Sequence, residues 1–431
     1  LFVDDAFLPV VDLLKKSIPS LKSFVYIGSN HNSSSSLPDR VVHYEELVKD
    51  GNPDFEAVEY GGDDVYGVFY TGGTTGKSKG VLLTHLNVMS NAYCVLNELQ
   101  YKSTSTYLHA APMFHAADGA STFSVTMAGA THAFIPKFIP VETLEALTKY
   151  KVTHSLLVPT MFAMVLKVDN ISDYDLSEIQ YLLYGASPMP EATLKSAMKT
   201  FSTAKFVQGY GMTECAPVNT FLSHEDHITG GKLLTSAGRA VPHAELKVVD
   251  EDDNEVPYGV VGELLARGPH VMKGYYKMPE VTAAALKNGW MHTGDGAVMD
   301  ENGYIYIKDR IKDMIITGGE NVYSVEVENC IAKIPGVAMC AVIGIPDEKL
   351  VEKVTAIVVP GANAELTKEG ITEFCHKNIA GYKCPREIII RTEPLPLSGA
   401  GKILKSELRK PFWEGNKEHI YSDVDKHTNY Q

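Results

Sequence analysis

The chain has 431 residues, of which 45% are hydrophobic and 21% charged, as in packed globular proteins of two or three domains. Its formal net charge of −14 disfavours nucleic-acid binding, because the phosphate backbone would be repelled. No apolar run reaches the length of a membrane span. The six cysteines form no metal-type doublet and no disulfide-rich pattern, so we expect a reducing compartment, cytoplasmic or organellar.

Alternating strand and helix patterns run from the N-terminus to about residue 309 and predict an α/β domain. A serine run at residues 33–36 reads as an exposed loop. The first clear strand is predicted from Val65 to Tyr70, which is rich in aromatic and β-branched residues. Thr84 is placed to cap a helix. Apolar residues recur there at helical spacing, namely Leu86, Met89, Tyr93 and Leu96.

The loop after this strand combines glycines, hydroxyls and lysines, and we expect it to join the strand to the helix. Its glycines lack Cβ atoms, so backbone amides can converge on an anion while hydroxyl and ammonium groups add donors and charge. The residues concerned are Thr71, Gly72, Gly73, Thr74, Thr75, Gly76, Lys77 and Lys79. Such a loop suits a triphosphate, although a plain connecting loop can have a similar composition.

A small α+β lobe is predicted from Met314 onward. Its expected elements are a strand at Met314 to Thr317, a helix entered through Asn321 to Ser324, strands at Cys340 to Ile345 and Val354 to Val359, and a helix near Thr367 to Ala380. Near the end of this lobe, Lys402 lies on a turn with glycines at 399 and 401, which let the turn approach a ligand closely. By residue type alone, Lys402 could equally be an ordinary surface lysine.

Further motifs follow one another along nearly the whole chain. They are Pro112 to His115, Tyr184 to Pro188, Gln208 to Glu214, His292 to Asp295, Lys308 to Asp313 and Gly318 to Asn321. With the glycine-rich loop and the lysine turn, they resemble the adenylate-forming superfamily of acyl- and aryl-CoA synthetases, luciferases and peptide-synthetase adenylation domains. The loop departs from that pattern at Gly72, where Ser is commoner, and at Ser78, where Pro is usual. The segments Tyr323 to Glu328 and Tyr382 to Pro385 look most like fatty-acid CoA ligases.

The resemblance implies a large multi-sheet α/β N-terminal domain, here residues 1–311, and a small mobile α+β C-terminal domain, residues 312–431. The phosphate loop comes earlier than is typical of the family and the chain starts with Leu1, so we expect part of the large domain to be missing. The implied reaction uses ATP to activate a fatty acid as acyl-adenylate and then transfers the acyl group to coenzyme A. It implies Mg²⁺ as metal and AMP and pyrophosphate as products. Fatty substrates could also bring the enzyme transiently to membrane surfaces.

By resemblance, the nucleotide is held by several motifs besides the loop. These residues are Gly185, Ala186, Ser187, Gly209, Tyr210, Gly211, Met212, Thr213, Asp295, Arg310 and Lys402. Tyr210 would stack on adenine, Asp295 would accept from the ribose diol, and Arg310 would supply a second ribose or phosphate contact. Taken singly, these residues are also typical of a core tyrosine, a turn aspartate and a surface arginine.

Two anions meet in the first half-reaction, so the site needs a bridging cation. The resemblance assigns Lys402 to this role, Thr213 to donation to the α-phosphate, and Glu214 to Mg²⁺. A glutamate that starts a helix is the alternative for Glu214.

The resemblance also assigns the acid pocket, the pivot and the thiol channel. The acyl pocket comprises Phe114, His115 and Gly209, with the apolar stretch from Ser121 to Ala130 behind it. A core histidine remains an open alternative for His115. The small domain would rotate about Lys312 after adenylation, so that Gly318 and Gly319 line the pantetheine channel. A bulge or a simple turn is the alternative for this glycine pair.

Other functions share parts of this pattern. An aryl-CoA ligase or a carrier-protein adenylating enzyme would use the same first half-reaction with another acid or acceptor. A non-catalytic nucleotide-binding relative is a further alternative, although the motif residues are intact. A P-loop phosphotransferase is disfavoured, because that motif needs a glycine where Thr71 stands.

Overall fold

The fold was analysed on a computed structural model, which describes residues 1–28, 37–71, 78–187, 189–361, 364–398 and 402–413. The chain forms two compact units, Leu1–Tyr60 and a second that begins at Gly61. Within the described ranges, no helix is long and apolar enough to cross a membrane.

The first unit is a small α/β layer. Its elements are β1 (Phe2–Val3), α1 (Val11–Ser17), β2 (Phe24–Tyr26), β3 (Val41–His43) and α2 (Tyr44–Lys49). The strands are parallel in the order β1-β2-β3, and side chains of α1 and β2 close a small core around Val11 and Phe24.

The second unit begins with a hairpin and a long helix. These are β4 (Val65–Thr71), β5 (Lys79–Thr84) and α3 (His85–Glu98). The predicted strand and the Thr84 cap are confirmed, and the cap is a capping box with Asn87. The prediction that the glycine-rich loop joins a strand to a helix is wrong, because β5 pairs antiparallel with β4 and comes before the helix.

The helix predicted from the spacing of apolar residues is confirmed, and Met89 and Leu96 pack against core clusters, but the other two apolar residues of that set are exposed. Leu86 and Tyr93 are 43% and 63% exposed, and the buried side is instead formed by Asn87, Val88, Asn91, Ala92, Cys94 and Val95. Hydrogen bonds explain why this side of the helix is buried. The Asn87 amide donates to the carbonyl oxygens of Pro269 and Val271, each at 2.8 Å.

A seven-stranded sheet forms the centre of the second unit. Its strands and helices are β6 (Thr106–His109), α4 (Ala116–Gly119), α5 (Ser121–Met127), β7 (Thr131–Phe134), α6 (Pro140–Lys149), β8 (His154–Leu156), α7 (Pro159–Val165), β9 (Tyr181–Gly185), α8 (Glu191–Thr200), β10 (Lys205–Gly211), β11 (Val218–Leu222), α9 (His224–Thr229) and β12 (Arg239–Ala240). The order is β12-β11-β10-β9-β8-β6-β7, and the five strands β6 to β10 all run parallel to one another. Helices α6 to α8 cover one face, while α3 and α5 cover the other.

Antiparallel strands follow this sheet. They are β13 (Glu245–Val249), β14 (Val261–Arg267), β15 (Gly274–Tyr275), β16 (Met291–Met299) and β17 (Ile305–Arg310), with α10 (Pro279–Ala285) after β15. The order β13-β14-β16-β17 makes a four-stranded sheet, whereas β15 joins the edge of β5. The predicted α/β class is confirmed.

The remaining elements form a sheet with helices against it. They are β18 (Ile315–Thr317), β19 (Glu320–Val322), α11 (Ser324–Ile331), β20 (Val337–Asp347), β21 (Val351–Pro360), α12 (Lys368–Asn378), β22 (Glu387–Ile390) and α13 (Lys405–Trp413). The order is β19-β18-β21-β20, with β22 parallel to β21. The predicted strands and the Thr367 helix are confirmed, while Asn321 and Val322 belong to β19. The domain boundary at 311/312 stays a prediction.

Candidate active site

The carboxyl ends of two central parallel strands meet at one point of the sheet. Gly185 at the end of β9 lies opposite Gly209 in β10, and a Cβ on Gly185 would come within 2.1 Å of the Gly209 carbonyl oxygen. Ala186 follows with a φ of +67°, a conformation that is costly for a residue other than glycine. In open α/β sheets, ligands bind beyond the carboxyl ends of the strands. The turn from Gly185 to Ser187 is therefore well placed to meet a ligand.

Three side chains from three strands form a connected group next to this edge. The Tyr210 hydroxyl donates to Asp295 Oδ2 at 2.6 Å, and Arg310 Nε lies 2.8 Å from Asp295 Oδ1. Asp295 and Arg310 are cross-strand partners in β16 and β17, so the sheet register fixes their pairing. Asp295 is buried within a strand, which rules out the alternative of an exposed turn aspartate.

The electrostatics of this group follow from burial and proximity. Asp295 raises the pKa of Arg310 against the opposing effect of burial. Burial, followed by Asp295, raises the pKa of Tyr210 well above its ordinary value. The Tyr210 ring also packs against the apolar cluster around Val248 and Leu264. Tyr210 is thus part of the core and of the candidate site at once.

Glu214 is held in a tight turn just beyond β10. Thr213 to Cys215 form a single 3₁₀ turn, so the alternative of a glutamate at the start of an α-helix is not what the structure shows. A Cβ on Gly211 would lie 1.8 Å from the Pro217 carbonyl oxygen, so only glycine lets the chain fold back here. Glu214 is buried, and its Oε1 accepts from the Tyr275 hydroxyl at 2.9 Å.

Tyr275 was missed by sequence reasoning. Its ring also faces the Lys79 ammonium, whose nitrogen lies 4.7 Å from the ring centroid, so β15 links Glu214 to the hairpin that carries the glycine-rich loop. Burial and then Glu214 raise the pKa of Tyr275. No sequence motif indicated Tyr275, because only the pairing of β15 with β5 brings this tyrosine to the site.

Lys402 reaches the same region from the far end of the chain. Its turn is closed by two hydrogen bonds, from Ser398 N to Lys402 O at 2.7 Å and from Lys402 N to Ser398 Oγ at 3.1 Å. Burial and the Arg310 guanidinium lower the pKa of Lys402, while Asp295 and Glu214 act in the opposite direction. The ammonium is therefore within electrostatic reach of all three groups.

His115 also lies within electrostatic reach of Lys402. It caps α4, and its Nδ1 accepts from Ala117 N at 3.2 Å. Burial and then Lys402 lower the pKa of His115 to about 4, so the ring is neutral near pH 7. The neighbouring Phe114 is 72% exposed. The electrostatic effect of Lys402 indicates that His115 faces the same region, whereas its part in an acyl pocket stays a prediction.

A buried hydrogen-bond chain that the sequence did not reveal fixes the segment around His115. Asp118 in α4 is fully buried and accepts from Tyr107 OH at 2.7 Å, while His109 Nδ1 lies 2.7 Å from its second oxygen. His109 Nε2 continues the chain to His132 Nδ1 at 2.9 Å. Because these partners sit on β6 and β7, they lock α4, and with it His115, to the sheet.

The phosphate loop is described only at its ends. Thr71 ends β4 and its Oγ1 donates to Lys79 O at 3.4 Å, so the hairpin holds both ends of the loop together. Lys79 itself lies in β5 rather than in the loop. The predicted phosphate ligands at 72–77, Gly72, Gly73, Thr74, Thr75, Gly76 and Lys77, fall outside the described residues.

The predicted pivot and thiol channel have simple local structures. Lys312 is the central residue of a 3₁₀ turn, and its carbonyl oxygen accepts from Arg409 Nη1 at 3.3 Å. Gly318 and Gly319, with φ values of +61° and +85°, form the two-residue turn between β18 and β19. The glycine pair thus forms a turn, and its channel role and the pivot role of Lys312 stay predictions.

The site fits Mg²⁺ of the kind that binds phosphates. Glu214 offers a buried carboxylate whose Oε1 is engaged by Tyr275. Among the described residues, no group of three or more His, Cys, Asp or Glu side chains could hold a metal by itself. Mg²⁺ commonly uses one or two carboxylates and takes its other ligands from water and substrate phosphates. A single carboxylate beside a nucleotide site matches this behaviour.

Comparison with known proteins places this arrangement in a family. Residues 14–276 match the model of the AMP-binding enzyme, and residues 326–402 match that of the AMP-binding enzyme C-terminal domain. This chain belongs to the AMP-binding enzyme family. The predicted adenylate-forming superfamily and the predicted class, an AMP-forming acid–thiol ligase that uses ATP, Mg²⁺ and coenzyme A, are confirmed.

Named relatives differ in the acids that they activate. A feruloyl-CoA synthase of Amycolatopsis sp is 40% identical over 351 residues, covering 81% of this chain and 70% of the relative. The medium/long-chain-fatty-acid–CoA ligase FadD8 of Mycobacterium tuberculosis is 36% identical over 415 residues, covering 93% of this chain and 70% of its own length.

Solved structures show the same fold. ATP-bound MatB from Rhodopseudomonas palustris matches with a TM-score of 0.83 and 28% identity, covering 96% of this chain and 79% of that one. The anthranilate CoA ligase AuaEII in complex with anthranoyl-AMP matches with a TM-score of 0.84 and 26% identity, covering 96% and 78%. Both support the predicted arrangement of a large and a small domain.

Proposed function

We propose that this enzyme activates a fatty acid as acyl-adenylate and transfers the acyl group to coenzyme A. The observation that carries the proposal is the group of Tyr210, Asp295 and Arg310, which the strands bring within hydrogen-bond distance of one another. The Lys402 ammonium lies within electrostatic reach of this group, which links the lysine turn to the nucleotide motifs. A carboxylate is a poor electrophile, and a cation that bridges it to the α-phosphate lets the two anions meet.

In the first half-reaction, a carboxylate oxygen of the acid forms a bond to the α-phosphorus of ATP and pyrophosphate leaves. Lys402 would neutralise charge on the acid and on the α-phosphate as this bond forms. Thr213 would donate a hydrogen bond to the α-phosphate. Arg310, already oriented by its ion pair with Asp295, would hold the ribose or a phosphate, while Asp295 accepts from the ribose diol.

The nucleoside end would be held by the strand ends. The backbone of Gly185, Ala186 and Ser187 would meet the adenine edge, and the Tyr210 ring would stack on the base, beside the main chain of Gly209, Gly211 and Met212. Glu214 would hold Mg²⁺, which neutralises the polyphosphate charge when bound. The close packing of Gly185 against Gly209 supports this assignment, because it brings main-chain groups rather than side chains to the ligand.

In the second half-reaction, the thiol sulfur of coenzyme A bonds to the acyl carbon, AMP leaves with the bonding electrons, and the thiol proton passes to water. Lys402 has no role in this step. The small domain, residues 312–431, would therefore turn about Lys312 and bring the Gly318–Gly319 turn to the thiol channel.

The identity of the acid substrate is the most specific part of the proposal. Phe114, His115 and Gly209 would line the pocket, backed by α5 from Ser121–Met127. The fatty-acid reading is supported by the similarity to FadD8, which extends over 93% of this chain. An aryl acid is the second candidate, and it is favoured by the 40% identity with feruloyl-CoA synthase.

A panel of acids separates the two. Octanoate, palmitate, ferulate and 4-coumarate would each be supplied with ATP and Mg²⁺, and pyrophosphate and acyl-CoA would be measured with and without coenzyme A. Acyl-CoA formed from the fatty acids supports the proposal. Turnover of ferulate or coumarate alone would replace it with the aryl reading, and turnover of no acid, with no ATP binding by calorimetry, would favour a non-catalytic relative.

A further inference from the structure

A second lysine, three residues beyond Lys402, sits in a buried polar network. Lys405, the first residue of α13, has its Nζ 2.7 Å from Glu328 Oε1 and donates to Ser324 Oγ at 2.5 Å. Its side chain is only 13% exposed and that of Glu328 18%, so water screens this ion pair little.

The network continues to the strand before the predicted pivot. Ser324 Oγ donates to Asp309 Oδ2 at 2.6 Å, and Ser324 N donates to the same oxygen. Asp309 and Ser324 are 3% and 0% exposed. Val342 N donates to Glu328 Oε1 at 2.7 Å, which fixes that carboxylate against β20. Lys405 therefore links α13 both to the small-domain core and to the end of β17.

One helical turn further along α13, Arg409 forms a second set of contacts with the segment around Lys312. Its guanidinium pairs with Asp313 and donates to Lys312 O. Residues four apart lie on the same side of a helix, so Lys405 and Arg409 present one basic edge to the segment 309–313. The orientation of α13 is thereby set by contacts on both sides of Lys312.

Lys402 is joined to this anchor by a very short segment. Only Ile403 and Leu404 separate it from Lys405, and Leu404 N donates to Pro396 O at 2.9 Å to close the base of the lysine turn. Three residues span at most about 10 Å. A change in the anchor must therefore move the turn, whose lysine is useful only at the correct distance from the reacting carboxylate.

We propose that Lys405 is a positioning residue for adenylation, which holds the Lys402 ammonium at the nucleotide by tying the start of α13 to Ser324, Glu328 and Asp309. The proposal rests on the function proposed above. It assigns Lys405 no contact with the substrate. Asp309 precedes the pivot and Lys405 follows it. The link from Lys405 through Ser324 to Asp309 therefore also has to break when the small domain turns.

The test separates the two half-reactions. Adenylation is followed by acid-dependent exchange of labelled pyrophosphate into ATP, and transfer by thioester formation from synthetic acyl-adenylate and coenzyme A. Lys405→Met should lower the exchange rate by about 10- to 100-fold, the scale expected for a misplaced catalytic group, and change transfer by less than about threefold. Lys410→Met, an exposed lysine on the same helix, is the control and should leave both rates unchanged.

A double variant distinguishes positioning from a general structural role. If Lys405 acts through Lys402, then Lys402→Ala with Lys405→Met should exchange pyrophosphate within about twofold of Lys402→Ala alone, because coupled residues are not additive. Multiplicative losses, or equal losses in both half-reactions, would overturn the proposal. Should Lys405→Met not fold, Lys405→Met with Glu328→Gln removes both charges and is held to the same criteria.

The wild-type enzyme distinguishes this proposal from the one on which it rests. Absence of exchange with every acid would refute the proposed function. Exchange by the wild type that Lys405→Met leaves intact would refute only the positioning role.

Discussion

The two halves of the candidate site are held in different ways. Asp295 and Arg310 are cross-strand neighbours in β16 and β17, so backbone hydrogen bonds of a sheet fix them before any ligand binds. Lys402 sits on a short turn that is fixed by two hydrogen bonds of Ser398 and by the helix that follows. The proposed nucleotide contacts therefore belong to a sheet, whereas the proposed reactive cation lies on a turn held by few hydrogen bonds.

This difference predicts which mutations should affect only the chemical step and which should also affect ligand binding and folding. A change in the turn removes chemistry with little loss of stability, because few buried groups depend on it. A change in the sheet group affects binding and folding together. The four predictions below test this contrast, in order of decreasing expected effect.

Lys402→Ala should give the largest loss. Removing a preorganised charge from the reacting groups should lower the adenylation rate by about 100-fold or more, while the unfolding midpoint stays nearly unchanged. Pyrophosphate exchange and thermal unfolding would be measured together, with Lys410→Ala as the exposed control. Full-speed formation of the mixed anhydride by Lys402→Ala would refute the assignment.

Asp295→Ala should affect both binding and folding. It leaves Arg310 and the Tyr210 hydroxyl without their partner, so ATP affinity should fall by at least about tenfold. The free energy of unfolding should fall by about 1–3 kcal/mol rather than by the full cost of a buried charge, because the Arg310 side chain is 39% exposed and water can screen it.

Titration calorimetry with ATP and denaturant unfolding would check both effects of Asp295→Ala. Glu301→Ala, in the exposed turn between the same two strands, is the matched control. Unchanged ATP affinity would show that the nucleotide does not depend on this carboxylate.

A pair of glycine variants sharpens the contrast within the scaffold. Gly185→Ala places a Cβ 2.1 Å from the backbone oxygen of Gly209, so the strands must separate and the unfolding free energy should fall by about 1–3 kcal/mol or more. In Gly209→Ala the nearest atom is Phe221 Cε1 at 3.5 Å, and the expected loss is less than about 1.5 kcal/mol. Urea unfolding of both variants would check the order, and equal stabilities would contradict it.

The smallest effect concerns the dependence of stability on pH. Burial and Lys402 lower the pKa of His115 to about 4, below the value of about 6.5 expected in the unfolded chain. Between these values the unfolded state binds more protons, so the free energy of unfolding should decrease as the pH falls through this window. His115→Gln should reduce this decrease by about 1–3 kcal/mol.

Denaturant unfolding between pH 4.5 and 7.5 would measure the slope for His115→Gln and wild type. Some slope should remain in the variant, because burial lowers the pKa of His154 to about 4 and that of His270 to about 3. An identical slope in both proteins would mean that His115 titrates normally.

The fold and most site motifs could be predicted where the signal is local. The strand at 65–70, the Thr84 cap and the small-lobe elements follow from short patterns, and ordered motifs predicted the family. The burial of Asn87 in α3 could not be predicted, because its amide donates to two carbonyl groups more than 180 residues away. Tyr275 was missed for the same kind of reason, since a short strand pairing brings it to Glu214.

Lys405 shows a further limit of reading the sequence. Its residue type and spacing are ordinary, and only the folded chain places it against Ser324 and Glu328. The lysine turn was recognisable as a motif, whereas the contacts that aim it are long-range and side-chain specific. Motifs thus predicted the family and the candidate residues, and packing decided how those residues are held.

Arg310 lies only two residues before Lys312, so the chain connects the proposed ribose contact directly to the proposed pivot. If both proposed roles hold, a nucleotide bound to the guanidinium would also restrain the residues next to the pivot, and its release would free them. Binding and release of the nucleotide would then be coupled to rotation of the small domain, and release of AMP would return the enzyme to the state that accepts the next acid.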